Sequence, residues 1–327
     1  PTQKARAVPT SQPTSPTPQP TPYPVSGDTV NPPALSTGKN VIYIDSKFSF
    51  DNIGQDIRSA VDSSYNVIII GFFLNSVPSY AALQWSATTE ANRKAALQYA
   101  HDRGAIVMVS AGGATQNFED FFDNPLFAKT YCEGAANWAL KFGLDGVDFD
   151  VELTPDNWYP LRNEGKAIQW LADCSIYARK IFNTASASNG KTYYISHAPQ
   201  GPYLGPWACG GVSVGCKMGY VEVFKRAKVD GIYAIDFLNI QYFNQGDGVY
   251  DDFNSLFVKS TSAVGLNTAV KELHDAGLPY SAIVVGKPLT KDDARDGHVP
   301  ADDFAKWVAK ARSELGWNGG VMFMMYN

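Results

Sequence analysis

The chain has 327 residues, of which 45% are hydrophobic and 18% are charged, enough for one large domain or two small ones. Its 27 Lys and Arg against 32 Asp and Glu give a formal net charge of −5, which argues against a nucleic-acid partner. The longest apolar run, residues 67–74, is far shorter than the ~20 residues that cross a bilayer, so a membrane protein is not expected.

The first 39 residues differ in composition from the rest, because they hold ten of the 20 prolines. Ser and Thr lie between these prolines, as in the run PTSQPTSPTPQPTPYP at residues 9–24. Such a segment has little apolar surface to bury, so we expect residues 1–39 to form a disordered linker and the folded domain to span 40–327. Ser and Thr between prolines suit O-glycosylation of a secreted stalk, although a tail without a function has the same composition.

From residue 40 onward, β-rich runs alternate with helical patterns. Strands are predicted at 41–46, 66–74, 105–113, 146–152, 193–200, 234–244, 282–289 and 320–327, and helices at 53–63, 89–103, 125–142, 165–185, 218–229, 264–276 and 301–315. Several runs are continuously apolar, as in strands buried on both faces of a parallel sheet. Eight such units favour an α/β fold of the (β/α)8 TIM barrel type, with the eighth helix missing, over a doubly wound sheet.

Four cysteines predict disulfide bonds rather than a zinc site, because none of them lies in a CxxC pair. Cys132 and Cys174 lie on successive helical patterns, and Cys209 and Cys216 flank a short Gly-rich loop, so we expect the pairs Cys132–Cys174 and Cys209–Cys216. Two disulfides would place the protein in an oxidising compartment, secreted to the extracellular space or cell wall. Four buried free thiols are the alternative.

The fourth predicted strand carries the clearest chemical signal. Asp148, Asp150 and Glu152 alternate with apolar residues and therefore share one face of the strand. If the apolar face meets the helices, the acids point into the barrel, where three crowded carboxylates cannot all stay ionised. At least one would be protonated near neutral pH, as a general acid requires. A half-exposed strand with a wet acidic face fits the same pattern.

A metal site is a rival interpretation, because closely spaced carboxylates also bind Mg²⁺ or Ca²⁺. Of the four histidines, His101 lies on a predicted helix and His298 in a loop, so neither is placed to join the acids. No second acidic cluster follows another predicted strand. We therefore expect no metal, and no cofactor is implied.

The segment DGVDFDVE at residues 145–152 resembles the DGxDxDxE signature of family 18 glycoside hydrolases, the chitinases. SAGG at 110–113 resembles the third-strand SxGG of that family, and HAPQGPY at 197–203 is similar to the fifth strand of its hevamine-like, class III plant and fungal branch. VVGKPL, GHVP and GGVMF resemble its seventh and eighth strands, so the resemblance covers nearly all of 40–327. The structural positions of these motifs are Asp145, Gly146, Ser110, Gly112 and Gly113.

The resemblance implies a secreted chitinase that hydrolyses β-1,4-linked N-acetylglucosamine polymers with retention of configuration. Glu152 would protonate the glycosidic oxygen, and the acetamido carbonyl of the substrate would be the nucleophile. Asp150 would orient the acetamido nitrogen, and Asp148 would tune Asp150 by sharing a proton. The expected partners are chitin or chito-oligosaccharides, and a monomer is expected.

Two positions depart from the branch. Its sixth strand ends in QFYN, whose Tyr donates a hydrogen bond to the acetamido carbonyl, whereas this chain has Gln241-Tyr242-Phe243-Asn244. Phe243 takes the position of this Tyr and cannot donate, and loss of such a hydrogen bond typically costs ~2–4 kcal/mol of transition-state stabilisation. Tyr242 should face the helices unless a bulge returns it to the site. Met324 takes the position of the Trp that forms the floor of the −1 sugar site.

Several further residues follow predicted strands and are candidates for binding sugar. The expected substrate-binding residues are Gln200, Gln241, Phe243, Asn244, Met324, Tyr203 and Trp158. Tyr80, Trp85 and Trp207 could also stack on sugars from loops, with ordinary packing as the alternative. His197 is expected to be a core histidine with its hydrogen bonds satisfied.

Two other functions remain open. A chitinase-like protein could bind chitin oligosaccharides with little or no turnover, which Phe243 and Met324 favour and the complete acid set disfavours. An endo-β-N-acetylglucosaminidase would keep the chemistry and cleave the chitobiose core of N-glycans instead.

Overall fold

The computed structural model describes residues 34–35, 38–45, 53–75, 77–116, 118, 121, 124–152, 166–205 and 219–326. Within these ranges, eight parallel strands close into a barrel with helices packed around it. The prediction of a (β/α)8 barrel is confirmed. Across the described residues, no helix is long and apolar enough to span a membrane.

The eight barrel strands fall within or close to the predicted runs. They are β1 Lys39–Ile44, β2 Val67–Leu74, β3 Ile106–Gly112, β4 Gly146–Asp150, β5 Tyr194–His197, β6 Phe237–Gln241, β7 Ile283–Pro288 and β8 Gly320–Met324. The helices are α1 Ile53–Asp62, α2 Tyr80–Ala87, α3 Glu90–His101, α4 Pro125–Lys141, α5 Lys166–Asn189, α6 Gly219–Arg226, α7 Val270–Asp275 and α8 Ala301–Leu315. The description ends two residues after β8.

One helix, α2, was not predicted, and it changes the interpretation of Trp85. The side chain of Trp85 is fully buried, and its indole N–H donates to the carbonyl of Phe142 at 3.1 Å. Trp85 therefore packs in the core and is not a loop aromatic available to a sugar. A second difference follows α6, which ends at Arg226 because a short hairpin, Lys228–Val229 with Ile232–Tyr233, replaces the end of the predicted helix.

Closure of the barrel depends on β1, which pairs in parallel with both β8 and β2. Val41 lies opposite Met322 on one side and Val67 on the other. Because the sheet closes on itself, these strands leave no unpaired edge, and the carboxyl ends of all eight meet at one mouth.

Strand alternation divides the apolar residues into an outer layer under the helices and an inner cluster inside the barrel. On β1, Ile42 and Ile44 belong to the outer layer, whereas Val41 and Tyr43 belong to the inner cluster. The same alternation on β4 places Val147 and Phe149 in the outer layer. The acids of β4 therefore point into the barrel, as the sequence predicted.

Leu35, which lies in the predicted linker, contacts the barrel. The amide of Leu35 donates to the Tyr194 hydroxyl at 3.0 Å, and Leu35 packs against the inner cluster at the amino ends of the strands. The proline-rich run at residues 9–24, predicted to be disordered, lies outside the described residues.

The helices α4 and α5 are joined by a disulfide between Cys132 and Cys174, whose Cα atoms lie 5.3 Å apart. This is the first of the two predicted pairs. The second pair, Cys209 and Cys216, lies outside the described residues.

Candidate active site

The three acids of the β4 segment form a row from the barrel interior to its mouth. Asp148 and Asp150 have no exposed surface, and Glu152, two residues past the end of β4, is half-buried. Burying carboxylates is costly unless they are hydrogen-bonded or protonated, so the partners of each acid indicate its state.

Asp148 lies at the centre of a hydrogen-bond network that joins four other strands. Its Oδ2 accepts from the hydroxyls of Tyr43 at 2.8 Å and Ser110 at 2.9 Å. Its Oδ1 accepts from the Ser196 hydroxyl at 2.6 Å and from Asn239 Nδ2 at 3.3 Å. Burial raises the pKa of Asp148, and the four hydrogen bonds oppose that rise. Because both of its oxygens accept hydrogen bonds from protein donors, the charged form of Asp148 is the best stabilised of the three acids.

Asp150 has the opposite environment. Its Oδ1 accepts one hydrogen bond from Gln241 Nε2 at 3.0 Å, whereas its buried Oδ2 has no partner among the described residues. Burial raises the pKa of Asp150 well above its usual value, and the charges of Glu152 and Asp148 raise it further. The environment of Asp150 therefore favours its protonated form more strongly than the environment of Asp148 does.

Glu152 occupies the position nearest to solvent, where a substrate would meet it. Its Oε2 lies 3.4 Å from Nε2 of Gln200, a long hydrogen bond. Burial raises the pKa of Glu152 as well, while the hydrogen bonds from Gln200 and Gln241 oppose the rise. A carboxyl group with a raised pKa at the mouth of a barrel is suited to general acid catalysis.

The two glycines that end β3 allow the acid row to form. Gly112, at φ +117°, lies so close to β4 that a Cβ there would be 2.1 Å from the Asp150 carbonyl oxygen. The Gly113 amide donates to that same oxygen at 2.7 Å. A larger residue at Gly112 would therefore displace the backbone of Asp150, which gives the motif a structural reason.

The amino end of β4 is fixed by the remaining motif residues. Asp145 is buried, and its Oδ2 lies 2.8 Å from both His101 Nε2 and the amide of Val107. A Cβ on Gly146 would lie 2.1 Å from the Tyr194 carbonyl, so β4 and β5 are in close contact there. These residues hold the strand and lie at the opposite end from the mouth.

Phe243 and Met324 both lie against the inner cluster, where they form an apolar wall near the acids. Phe243 is 4% exposed, and Met324 is half-buried. Tyr242 faces the outer layer instead, and its hydroxyl donates to the Thr268 carbonyl at 2.8 Å. No bulge returns Tyr242 to the site, so its hydroxyl is not available to a substrate there.

The loop after β7 holds the residues that follow β6. The amide of Arg295 donates to Asn244 Oδ1 at 2.8 Å, and the Arg295 guanidinium donates to the Asn244 carbonyl at 3.0 Å. A Cβ on Gly297 would lie 2.7 Å from Cα of Phe243, so the loop backbone packs directly behind that ring. Asn244 is exposed at the mouth, with its side-chain oxygen already used by this clamp.

Tyr203 corrects one prediction. It is 1% exposed in the outer layer, on the helical turn Gly201–Leu204, and its ring cannot stack on a sugar in the mouth. The turn after β5 places Gln200 toward Glu152 and Tyr203 toward the helices. Trp158 and Trp207 lie outside the described residues.

His197 is a core histidine, as expected. Its Nε2 lies 2.9 Å from Ser175 Oγ and its Nδ1 lies 3.3 Å from the Tyr220 hydroxyl. Complete burial lowers the pKa of His197 to about 3, so the ring is neutral. It faces the outer layer, away from the acids.

A groove of about 1010 Å³ lies away from the acids, between α1, α2 and α3. Its described lining includes Arg58, Tyr80 and Leu83 but no carboxylate, so we place the chemistry at the barrel mouth rather than in the groove. Throughout the described ranges, no group of three or more His, Cys, Asp or Glu side chains is arranged to hold a metal ion.

Four functional positions were not found from the sequence. Tyr43, Ser196 and Asn239 donate to Asp148, and Asp45 adds its charge to the mouth. Each of these is a polar residue in or just after a strand that is otherwise apolar. That interruption of the apolar pattern is the signal that could have identified them.

A closed (β/α)8 barrel with a row of acids at the carboxyl end of its fourth strand is the arrangement of a glycoside hydrolase. The family model described as "Glycosyl hydrolases family 18" matches residues 39–319, and the chain belongs to that family. The resemblance seen in the sequence is thereby confirmed.

Relatives and solved structures agree with this assignment. A "Chitinase" of Enterococcus faecalis is 24% identical over 283 residues, covering 80% of this chain and 70% of that protein. "Chitinase 1" of Candida albicans is 29% identical over 288 residues, covering 82% of this chain and 52% of that protein, so the chain spans about half its length. The structure of a GH18 chitinase from Pseudoalteromonas aurantia matches with a TM-score of 0.64 at 22% identity, over 88% of this chain and 94% of that one, which shows the shared fold.

Proposed function

We propose that the protein is a secreted chitinase that hydrolyses β-1,4-linked N-acetylglucosamine polymers by a substrate-assisted, retaining mechanism. The observation that carries this proposal is the contrast between Asp150 and Glu152. Asp150 retains a buried oxygen, Oδ2, with no partner among the described residues, and Glu152 has a raised pKa beside it. Asp150 Oδ2 could accept a hydrogen bond from the acetamido N–H of a substrate while the Glu152 carboxyl protonates the leaving oxygen.

In the first step, Glu152 gives its proton to the glycosidic oxygen as the bond from C1 to that oxygen breaks. The acetamido carbonyl oxygen of the sugar in the −1 site forms the new bond to C1, giving an oxazolinium ion. With the proton of the Asp150–Glu152 pair on Glu152, the Asp150 carboxylate accepts a hydrogen bond from the acetamido N–H at Oδ2, which turns that group toward C1. Asp148, held by its four donors, supplies the fixed negative charge beneath Asp150.

In the second step, the Glu152 carboxylate takes a proton from water, which attacks C1 from the side that the leaving group has vacated. The carbonyl oxygen leaves C1, and the product keeps the β configuration. The net reaction adds one water and releases a shorter oligomer, with Glu152 protonated again.

The proposed location of the protein, in the extracellular space or cell wall, is supported by the Cys132–Cys174 disulfide, because such bonds persist in oxidising compartments. The proposed substrate is supported by the names of the relatives, several of which are chitinases.

The second candidate is a protein that binds chitin fragments with little or no turnover, and Phe243 is the observation that favours it. A buried Phe at this position cannot donate to the acetamido carbonyl, and Tyr242 faces away. Loss of one such donor typically slows a reaction by about 10²–10³.

The test compares the wild type with Glu152→Gln and with Glu314→Gln, a matched change on the exposed face of α8. Each is incubated with the N-acetylglucosamine hexamer and, separately, with an N-glycan that has a chitobiose core. The products are followed by mass spectrometry and their anomers by NMR. We expect the wild type and Glu314→Gln to release β-anomeric products and Glu152→Gln to release none. Hexamer binding by calorimetry without cleavage by any form would support the binder, and cleavage of N-glycan cores alone would support an endo-β-N-acetylglucosaminidase.

A further inference from the structure

A fourth carboxylate, Asp45, follows directly after β1 and lies at the mouth beside the three acids of the β4 segment. On β1, Val41 and Tyr43 point into the barrel and Ile42 and Ile44 point outward. Continuing this alternation, Asp45 lies on the inner side, two residues closer to the mouth than Tyr43. Asp45 is half-buried, and its Oδ1 is shielded from solvent.

The position of Asp45 matches the level of Asp150 in the barrel. Tyr43 and Asp148 are joined by a 2.8 Å hydrogen bond, so β1 and β4 are level at that point. Asp45 and Asp150 each lie two residues further along their strands toward the mouth. The carboxylate of Asp45 therefore faces the same space as Oδ2 of Asp150, which has no partner among the described residues.

The other charged and titratable groups around Asp150 add no positive charge. Asp148 and Glu152 approach it along β4, Tyr43 from β1, Tyr131 from α4 and Tyr220 from α6. Among the described residues, none of the groups that influence Asp150 is a lysine, arginine or histidine. After burial and the charges of Glu152 and Asp148, the charge of Asp45 also raises the pKa of Asp150.

We propose that Asp45 is a positioning residue of the catalytic centre, whose negative charge holds the working proton on the Asp150–Glu152 pair. Asp45 makes the motif of three acids into a site of four, in which the extra charge comes from a different strand. Its effect is to extend the range of pH over which Glu152 can act as the acid.

The first test is the pH profile of kcat/KM for the hexamer, which rests on the proposed function. Asp45→Asn removes the charge and keeps the shape, and Asp247→Asn makes the same change at an exposed position after β6. We expect the alkaline limb of Asp45→Asn to move to lower pH by ~0.3 unit or more, because its general acid loses its proton earlier. The profile of Asp247→Asn should coincide with that of the wild type. An unmoved limb in Asp45→Asn, or equal shifts in both variants, would overturn the proposal.

The second test needs no activity, so it separates failure of this proposal from failure of the proposed function. Asp45→Asn and Asp150→Asn are combined in a double-mutant cycle, and the free energy of unfolding is measured by urea titration from pH 4 to pH 9. Because the pKa of Asp150 is raised in the folded state, the stability it contributes is present at low pH and is lost as pH rises through the folded pKa. Asp45→Asn lowers the folded pKa of Asp150, so this loss ends at a lower pH and is smaller above that pH, and the substitution has no such effect in the Asp150→Asn background.

We therefore expect a coupling free energy that is absent near pH 4 and grows as Asp150 loses its proton. A merely structural role of Asp45 gives a coupling that does not change with pH, and that result would contradict the proposal. If the wild type shows no cleavage but the coupling follows pH as expected, the proposed function fails and the role of Asp45 stands.

Discussion

The hydrogen-bond network around Asp148 predicts different outcomes for two substitutions of that residue. Asp148→Asn and Asp148→Ala both remove the buried charge, so they relieve the same desolvation cost and are compared with each other rather than with the wild type. What separates them is the set of four donors, supplied by β1, β3, β5 and β6.

The magnitude follows from which donors can find a new acceptor. In Asp148→Asn, the side-chain oxygen can stay with Ser196 and Asn239, and the new NH₂ group can donate to the hydroxyls of Tyr43 and Ser110, which rotate to accept it. In Asp148→Ala, the three hydroxyls lose their acceptor, at about 1 kcal/mol each, and a small cavity adds to the loss. We therefore expect Asp148→Ala to be about 3 kcal/mol less stable than Asp148→Asn.

The assay is urea unfolding of both variants, with Asp247→Asn and Asp247→Ala as a matched pair at an exposed position. The exposed pair should differ by less than about 0.5 kcal/mol. If Asp148→Ala and Asp148→Asn agreed as closely as that, the four contacts would not stabilise the fold, and our account of the buried anion would be wrong.

Two further predictions concern the apolar wall and the disulfide. Phe243→Tyr should raise kcat on the hexamer by roughly tenfold or more, because it restores a donor to the acetamido carbonyl, whereas Tyr242→Phe should leave kcat unchanged and cost about 1 kcal/mol through the lost bond to the Thr268 carbonyl. An unchanged kcat in Phe243→Tyr would show that the hydroxyl does not reach the substrate. Replacing Cys132 and Cys174 together with alanine should destabilise the fold by about 4 kcal/mol, from the entropy of opening a loop with a sequence separation of 42, as measured by urea unfolding.

The strands and the direction of the acids could be predicted from the sequence because both follow from local periodicity. A strand that alternates acid and apolar residues must separate them onto two faces, and Phe149 in the outer layer fixes which face is inside. The partners of Asp148 could not be predicted in this way. They come from four other strands, and their meeting depends on the register of the closed barrel.

The errors have equally local causes. The helix α2 has eight residues and no clear apolar periodicity, so nothing in its sequence distinguishes it from a loop. Tyr203 was assigned to the mouth because it follows β5, but the helical turn Gly201–Leu204 reverses its direction. Positions after a strand are set by the turn that follows, and the period of the strand no longer applies to them.

The acids of the β4 segment are not equally strong evidence of catalysis, because their contacts distinguish an acid that stabilises the fold from one that does not. Asp148 has four donors in the barrel interior, so it would be retained for stability in an active or an inactive protein. Glu152 is half-buried, its contact with Gln200 is long at 3.4 Å, and burial disfavours its charge. Such a carboxylate adds little to the stability of the fold, and a locally unfavourable environment of this kind is typical of functional sites. Glu152→Gln should therefore unfold at the same or a higher urea concentration than the wild type while losing turnover, whereas a marked loss of stability would mean that Glu152 is structural and that its presence says nothing about catalysis.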